Sequence, residues 1–120
     1  MSEFDDRTPI YQQIAGQIRR DILSGELEEE NQVMSTTQYA TTYRINPATA
    51  AKAMNLLVDD GLLIKRRGIG MFVASGARES LRSTMRGDYF TDTLDPALEE
   101  AELLGIPRSA LVDYINREQK

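Results

Sequence analysis

The clearest hydrophobic pattern lies between Asn46 and Gly61, where the chain reads NPATAAKAMNLLVDDG. Asn46 is a good N-cap, Pro47 suits the first helical position because it lacks a backbone donor, and Gly61 can end the helix. One face is an apolar stripe of Ala50, Ala53, Met54, Leu57 and Val58. The other holds small or hydrogen-bonding residues without a carboxylate, namely Ala48, Thr49, Ala51, Lys52 and Asn55. This pattern predicts a helix that can enter a DNA major groove, with a partly buried core helix as the alternative.

Two helices are predicted before this one. The first is capped by Thr8, with Pro9 at its first position, and carries Ile10, Ile14, Ile18 and Ile22 on one face. The second covers residues 36–42 and begins at a capping box formed by Ser35 and Gln38. A tight turn then leads into the third helix, so the three together have the parts of a helix-turn-helix.

Short strands are predicted on both sides of this unit. Val33-Met34 is expected to add a strand before the second helix. Residues 62–66 and 71–74 read as a hairpin around a turn that contains two glycines. Placed after a helix-turn-helix, the hairpin is expected to be a wing. An ordinary hairpin with a solvated basic edge is the alternative, but it leaves unexplained the cluster of Lys65, Arg66 and Arg67 beside the tip.

The tail beyond Ser75-Gly76 is helical and acidic in pattern, so we expect two parts, residues 1–76 and residues 77–120. Asp95-Pro96 is expected to cap a helical stretch, and an internal proline leaves open whether the tail begins with one bent helix or two. A last short helix is expected over residues 107–117. A tail of roughly forty residues cannot bury these apolar faces alone, so we expect a homodimer through residues 77–120. Two recognition helices would then lie about 34 Å apart, one turn of DNA.

Composition narrows the function. The 120 residues include no cysteine and no histidine, which removes thiolate and imidazole nucleophiles, the usual zinc ligands and disulfides. The carboxylates accompany no phosphate loop or nucleophile, so neither an enzyme nor a cofactor is expected. No apolar run reaches the roughly 20 residues that span a bilayer, and the acidic start MSEFDDR does not fit a signal peptide. We therefore expect a cytoplasmic protein without a membrane partner.

The charge distribution keeps nucleic acid among the expected partners. A net charge of −5 argues against binding through bulk charge. Acidic residues, however, gather in residues 3–6, residues 26–30 and the tail, whereas cations gather in the central segment. Because charges are screened beyond roughly 8 Å at physiological salt, an acidic protein can still present a basic face.

With these parts placed, the chain resembles the GntR family of bacterial transcription regulators. The matching pieces are PIYQQIAGQIRRDILSG, STTQYA, INPATAAKAMNLLVDDGLL and KRRGIGMFV, in the family's order. The short tail resembles that of the YtrA-like branch, whose C-terminal part is a helical dimerisation unit. The resemblance implies a homodimeric repressor that binds a palindromic operator and is released by a small effector. Thr37, Asn46-Pro47 and Met71 depart from the common family residues, and the first two remove arginines that would contact DNA, so no operator sequence is predicted.

Twelve residues at three places are predicted to bind double-stranded operator DNA. The start of the second helix and the turn would hold phosphates, and the third helix would face the major groove. The wing would grip the backbone and enter or skirt the minor groove. The residues are Ser35, Thr36, Arg44, Asn46, Ala48, Thr49, Lys52, Arg66, Arg67, Gly68, Ile69 and Gly70.

Several points stay open at this stage. A winged helix can also be a protein–protein interaction module without DNA binding, here with an acidic surface for a basic partner. Lys52 can reach a guanine or only a phosphate, and repression is not distinguished from activation. A small effector is expected near Tyr89, Phe90 or Tyr114, although aromatic rings buried in a small core would leave the same pattern.

Overall fold

The computed structural model describes residues 7–118, so the acidic cluster predicted at residues 3–6 lies outside the described residues. The described part is mostly helical, with one two-stranded antiparallel sheet. This order, three helices and then a hairpin, is a winged helix-turn-helix followed by a helical tail, which confirms the predicted fold class. The elements are α1 (Ile10–Ser24), α2 (Thr36–Tyr43), α3 (Pro47–Asp59), β1 (Leu63–Arg66), β2 (Gly70–Val73), α4 (Ala77–Tyr89), a π-helical segment (Phe90–Leu94), α5 (Asp95–Leu103) and α6 (Arg108–Glu118).

One apolar core holds the first three helices and the hairpin together. Helix α3 packs against α1, α2 and β1, and so it lies at the centre of the unit. The buried side of α3 is the predicted stripe, except that Val58 is only half-buried. No polar or charged side chain is buried among the residues that the structure describes. The largest fully buried side chains are Ile18, Ile22, Met54, Leu57, Leu63 and Val73.

The predicted capping is confirmed at α2 and wrong at α1. The Ser35 hydroxyl accepts a hydrogen bond from the Gln38 N–H at 3.1 Å, and the Gln38 side-chain oxygen accepts one from the Ser35 N–H at 2.7 Å. At α1, Pro9 itself takes the cap position and makes no side-chain bond. Thr8 therefore lies one residue outside the helix, where its carbonyl accepts a hydrogen bond from Gln13 Nε2 at 2.7 Å.

The predicted strand at Val33-Met34 is wrong. This segment runs beside β2, but within residues 7–118 it forms only one isolated bridge, between Gln32 and Phe72. Glu30 has a left-handed backbone, with φ at 69°, which interrupts the extended geometry. Its N–H nevertheless donates to the Val73 carbonyl at 2.7 Å. The segment therefore covers the free edge of β2 without adding a strand.

The start of α4 is tied to the winged-helix core by two side chains. The Glu29 carboxylate accepts hydrogen bonds from the N–H groups of Gly76, at 2.9 Å, and Arg78, at 3.1 Å. These N–H groups lie in the first turn of α4 and just before it, where backbone donors have no partner within the helix. In return, Arg78 Nε donates to the Leu23 carbonyl at the end of α1 at 2.9 Å. The carboxylate thus acts as an N-cap supplied by a distant loop.

This cap predicts a specific pH dependence of stability. The backbone N–H groups of Gly76 and Arg78 lower the pKa of Glu29 from its ordinary value of 4.5. Because the pKa is lower in the folded state, the stabilisation is present above pH 4.5 and is lost as the pH falls through the lowered pKa. Glu29→Gln should therefore lose less stability than the wild type over that acidic interval, as measured by urea unfolding. Equal losses in the two proteins would contradict the cap.

The tail begins with one continuous helical run and not with two separate helices. Helical backbone continues from α4 through the π-helical segment into α5. The predicted cap at Asp95 is wrong, because Asp95 has helical dihedrals, φ −57° and ψ −48°. Pro96 removes one backbone donor, and the wider π-helical turn before it lets the helix continue past the proline.

The chain divides into two compact units between Arg82 and Ser83. The division lies within α4 because Ala77 and Leu81, in its first turns, are buried in the winged-helix core. The boundary predicted between the functional parts, at residues 76 and 77, stays a prediction. In the second unit, Ala101 is the one buried residue among residues 83–117.

Candidate DNA-binding surface

The turn between α2 and α3 is built around Arg44. This residue has a left-handed backbone, with φ at 55°, and it ends α2. The following N–H, of Ile45, donates to the Ala40 carbonyl at 3.0 Å, which closes the helix end. Asn46 then caps α3, since its Oδ1 accepts a hydrogen bond from the Ala48 N–H at 2.7 Å. Because Oδ1 is used in the cap, the donor end of the Asn46 amide is the part that can reach a ligand.

The outer face of α3 carries the predicted recognition residues. Ala48, Lys52 and Asn55 are exposed at helical spacing, and Thr49 is half-buried at the edge. Acidic side chains occur only at the other end of the helix, where Asp60 forms an ion pair with Arg19 at 3.3 Å. The N-terminal half of this face therefore carries small side chains, has no carboxylate and is weakly cationic.

Lys52 is held by an aromatic ring from another helix. Its Nζ lies 4.2 Å from the centre of the Tyr11 ring on α1. A cation over an aromatic face is attracted by the ring quadrupole. The ammonium group still belongs to an exposed side chain, so it can contact a second group on its solvent side.

The N-terminus of α2 offers backbone donors rather than free side chains. The Ser35 hydroxyl is committed to the capping box, and both Ser35 and Thr36 are half-buried. The first-turn amides of Thr36 and Thr37 lie outside that box, and such amides favour an anion. Deeper in α2, Tyr39 stacks on Tyr43 at 6.0 Å, and burial raises the pKa of Tyr39 to about 12. This ring therefore stays neutral in the core and fixes α2.

The hairpin has the register of a tight wing, with Arg66 opposite Gly70. The observed strands each begin one residue from the prediction, at Leu63 and Gly70. Because Gly70 has no side chain, Arg66 can cross to the diagonal neighbour on β2, and its guanidinium carbon lies 4.7 Å from the centre of the Phe72 ring.

The tip of the wing is exposed to solvent and is held by a hydrogen bond from the loop before α2. Ile69 is 64% exposed, and Arg67 and Gly68 are also exposed. Gln32 Nε2 donates to the Ile69 carbonyl at 3.0 Å. Gly70 has φ at 142°, a backbone conformation that residues with a Cβ rarely adopt, so this position favours glycine. The loop before α2 therefore supports the tip of the wing.

The structure places the predicted site residues in three groups: the start of α2, the turn with the first half of α3, and the wing. None of them belongs to the buried core. Sequence reasoning missed Tyr11, Gln32 and Phe72, whose side chains contact Lys52, the Ile69 carbonyl and Arg66 respectively. Phe72 could have been found from the hairpin register, since it is diagonal to Arg66. Tyr11 and Gln32 carried no such signal, because their partners are distant in sequence.

The part of the chain that is described offers neither a metal site nor a membrane-spanning helix. No group of three or more acidic, histidine or cysteine residues within it could hold a metal ion. None of its helices is long and apolar enough to cross a membrane. A groove between α1 and α2 has a volume of about 380 Å³, but Gln17 there is paired with Asp21 and Arg20.

Known proteins are similar to this chain in sequence and in fold. The family model of the bacterial regulatory proteins, gntR family, matches residues 10–73. The transcriptional repressor YtrA of Bacillus subtilis is 32% identical over 120 residues, covering 96% of this chain and 89% of YtrA. The transcriptional repressor NagR of the same organism is 32% identical over 107 residues, and the match covers 88% of this chain but only 40% of NagR.

Solved structures agree with this likeness. A GntR family transcriptional regulator from Listeria monocytogenes has the same fold, with a TM-score of 0.75 at 24% identity, covering 97% of this chain and all of that one. The DNA-binding domain of AraR, solved in complex with an operator, has a TM-score of 0.57 at 25% identity, covering 62% of this chain and 95% of that one. The protein therefore belongs to the gntR family of bacterial regulatory proteins and is YtrA-like.

Proposed function

We propose that this protein is a homodimeric repressor that binds a palindromic operator in the bacterial cytoplasm and is released by a small effector. The observation that carries the proposal is the outer face of α3. Its N-terminal half has no carboxylate, presents Ala48 and Lys52, and lies in sequence between the cations of the turn and the wing. Supporting this, YtrA and NagR are named as repressors, and the similar AraR domain binds operator DNA.

The contacts follow from the chemistry of each group. Ala48 and the methyl group of Thr49 would lie against thymine methyl groups, and the Asn46 amide and Lys52 would reach base edges or phosphates. The free amides at the start of α2 and the Arg44 side chain would hold phosphates on either side of the groove. Arg66 and Arg67 would bind the backbone beside the wing, with residues 68–70 at the minor groove.

The homodimer is supported by the second compact unit. Ten large apolar side chains of the described tail are more than a third exposed, including Leu103 at 88%. A unit with so little buried surface is not stable alone, and contiguous exposed apolar area marks an interface. The ten exposed side chains are Met85, Tyr89, Phe90, Leu98, Leu103, Leu104, Ile106, Val112, Tyr114 and Ile115.

Selection of duplexes from random DNA by the purified full chain tests the proposal. We expect a palindromic consensus with half-sites about one helical turn apart. Thr49→Val removes the hydroxyl and keeps a methyl group, so it should recover an altered consensus only if the hydroxyl contacts a base. Thr49→Ala should weaken discrimination between the correct base and the others by about 1–3 kcal/mol per lost base contact. Recovery of no consensus would contradict DNA recognition. Adding candidate metabolites to the bound complex tests release.

Arg44→Gly separates DNA binding from stability. An L-residue in the left-handed region is strained by about 1–2 kcal/mol, and glycine relieves this while losing about 0.5–1 kcal/mol of entropy on folding. We expect the free energy of unfolding to be unchanged or raised by up to about 1.5 kcal/mol. DNA binding should nevertheless weaken, and its salt slope should fall by about 0.9.

Arg44→Lys is the matched control because it keeps the charge at the same backbone position. It should retain most of the salt slope, as measured by fluorescence anisotropy over a series of salt concentrations. If Arg44→Gly bound DNA as tightly as the wild type, Arg44 would not be a contact.

A further inference from the structure

The Tyr11 ring belongs to neither the DNA surface predicted from sequence nor the centre of the core. It is half-buried on α1 and packs against the hydrophobic core. Its hydroxyl accepts a hydrogen bond from Gln12 Nε2 at 3.1 Å. The ring is thus fixed on one side by packing, while its face is covered by the Lys52 ammonium at 4.2 Å.

A fixed ring changes what Lys52 can do. A lysine side chain has many rotamers, and ordering them on binding opposes affinity. A cation already resting on an aromatic face has fewer conformations to lose. Since Lys52 stays exposed, contact with the ring leaves the outer side of its ammonium group open to another partner.

The wing repeats this arrangement independently. Arg66, from β1, rests on the Phe72 ring at 4.7 Å, and Phe72 is also only half-buried. The two cations belong to different elements and are held by rings from different elements. In both cases the free protein holds a predicted DNA-contacting cation on a packed aromatic ring.

We propose that Tyr11 is a positioning residue for DNA recognition: its ring holds Lys52 at the outer face of α3 before DNA arrives. This inference rests on the proposed function. Tyr11 itself needs no contact with DNA, and its effect on binding passes through Lys52. The hydroxyl is not required, because the attraction comes from the ring face.

The contact can be measured in the free protein. Protons above an aromatic ring are shifted upfield, so the ε-methylene protons of Lys52 should show this shift in the wild type. Tyr11→Phe should keep the shift and Tyr11→Leu should abolish it, as read by NMR with Lys52→Ala to assign the signal. Equal shifts in the wild type and Tyr11→Leu would overturn the proposal.

The consequence for binding is tested on a duplex selected by the wild type. Tyr11→Leu should weaken binding about two- to five-fold, equivalent to about 0.5–1 kcal/mol, and Tyr11→Phe should bind as the wild type does. In a Lys52→Ala background, Tyr11→Leu should have no further effect. An equal loss in that background, or tighter binding by Tyr11→Leu, would overturn the proposal.

These two measurements separate the possible failures. If the wild type retained no duplex, the proposed function would be overturned, and this role of Tyr11 with it. The NMR shift would then show whether the contact itself had been correctly identified. Thermal unfolding of each variant shows whether the fold has been kept, and Tyr11→Phe is the variant closest in packing.

Discussion

Replacing Arg66 and Arg67 together with alanine should weaken binding to every DNA sequence. Each lost phosphate contact lowers the slope of log affinity against log salt by about 0.9, so the double variant should lose about 1.8. The consensus recovered by selection should not change, since phosphate contacts carry no sequence information. Fluorescence anisotropy at several salt concentrations measures the slope directly.

A charge-matched control is available on α4. Arg82 and Arg86 are both exposed, so changing both to alanine removes the same charge from another surface. That control should leave the slope nearly unchanged. Because Arg66 also rests on Phe72, the unfolding temperature of the wing variant should be measured as well. An unchanged slope in the Arg66 and Arg67 variant would remove the wing from the interface.

Placing a charge on the exposed apolar face of the tail should dissociate the dimer. Ile115 is 54% exposed on α6, and Ile115→Asp would bury an unpaired carboxylate in any apolar interface formed there. The loss of two-site attachment should then lower affinity for a full operator by about 100-fold or more. Analytical ultracentrifugation measures the oligomeric state, and anisotropy measures the affinity.

Asn116→Asp is the matched control for this prediction. It adds the same charge at the neighbouring position, which is exposed and already polar. We expect it to remain a dimer and to bind the full operator normally. Affinity of Ile115→Asp for a single half-site should also be unchanged, since the winged helix is untouched. A wild-type monomer in solution would contradict the homodimer.

Local signals predicted most of the winged helix. The capping box of Ser35, the cap at Asn46 and the apolar stripe of α3 all involve residues within a few positions of one another. Such patterns depend on backbone geometry that repeats along a helix, so they can be recognised in sequence. The prediction at Thr8 is wrong because Pro9 takes the capping position, and the prediction at Asp95 is wrong because helical backbone continues through this residue.

Signals that depend on long-range contacts could not be recognised in the same way. Val33-Met34 has the composition of a strand, but the segment forms one isolated bridge with β2, and directly after Met34 the chain enters the Ser35 cap of α2. Glu29 belongs to the acidic cluster of residues 26–30, yet it caps α4 through Gly76 and Arg78. Nothing near Glu29 in sequence indicates that partner.

The sequence by itself therefore determined where the helices and the hairpin lie and which face of α3 is polar, because periodicity and capping are local properties. Only the tertiary structure decided how the cations are held. Lys52 lies over Tyr11 because α1 and α3 pack together, and Arg66 lies over Phe72 because the hairpin register places Gly70 opposite it. The Lys52 contact joins two helices whose separation along the chain carries no information about their distance in space, whereas the Arg66 contact follows once the hairpin register is fixed.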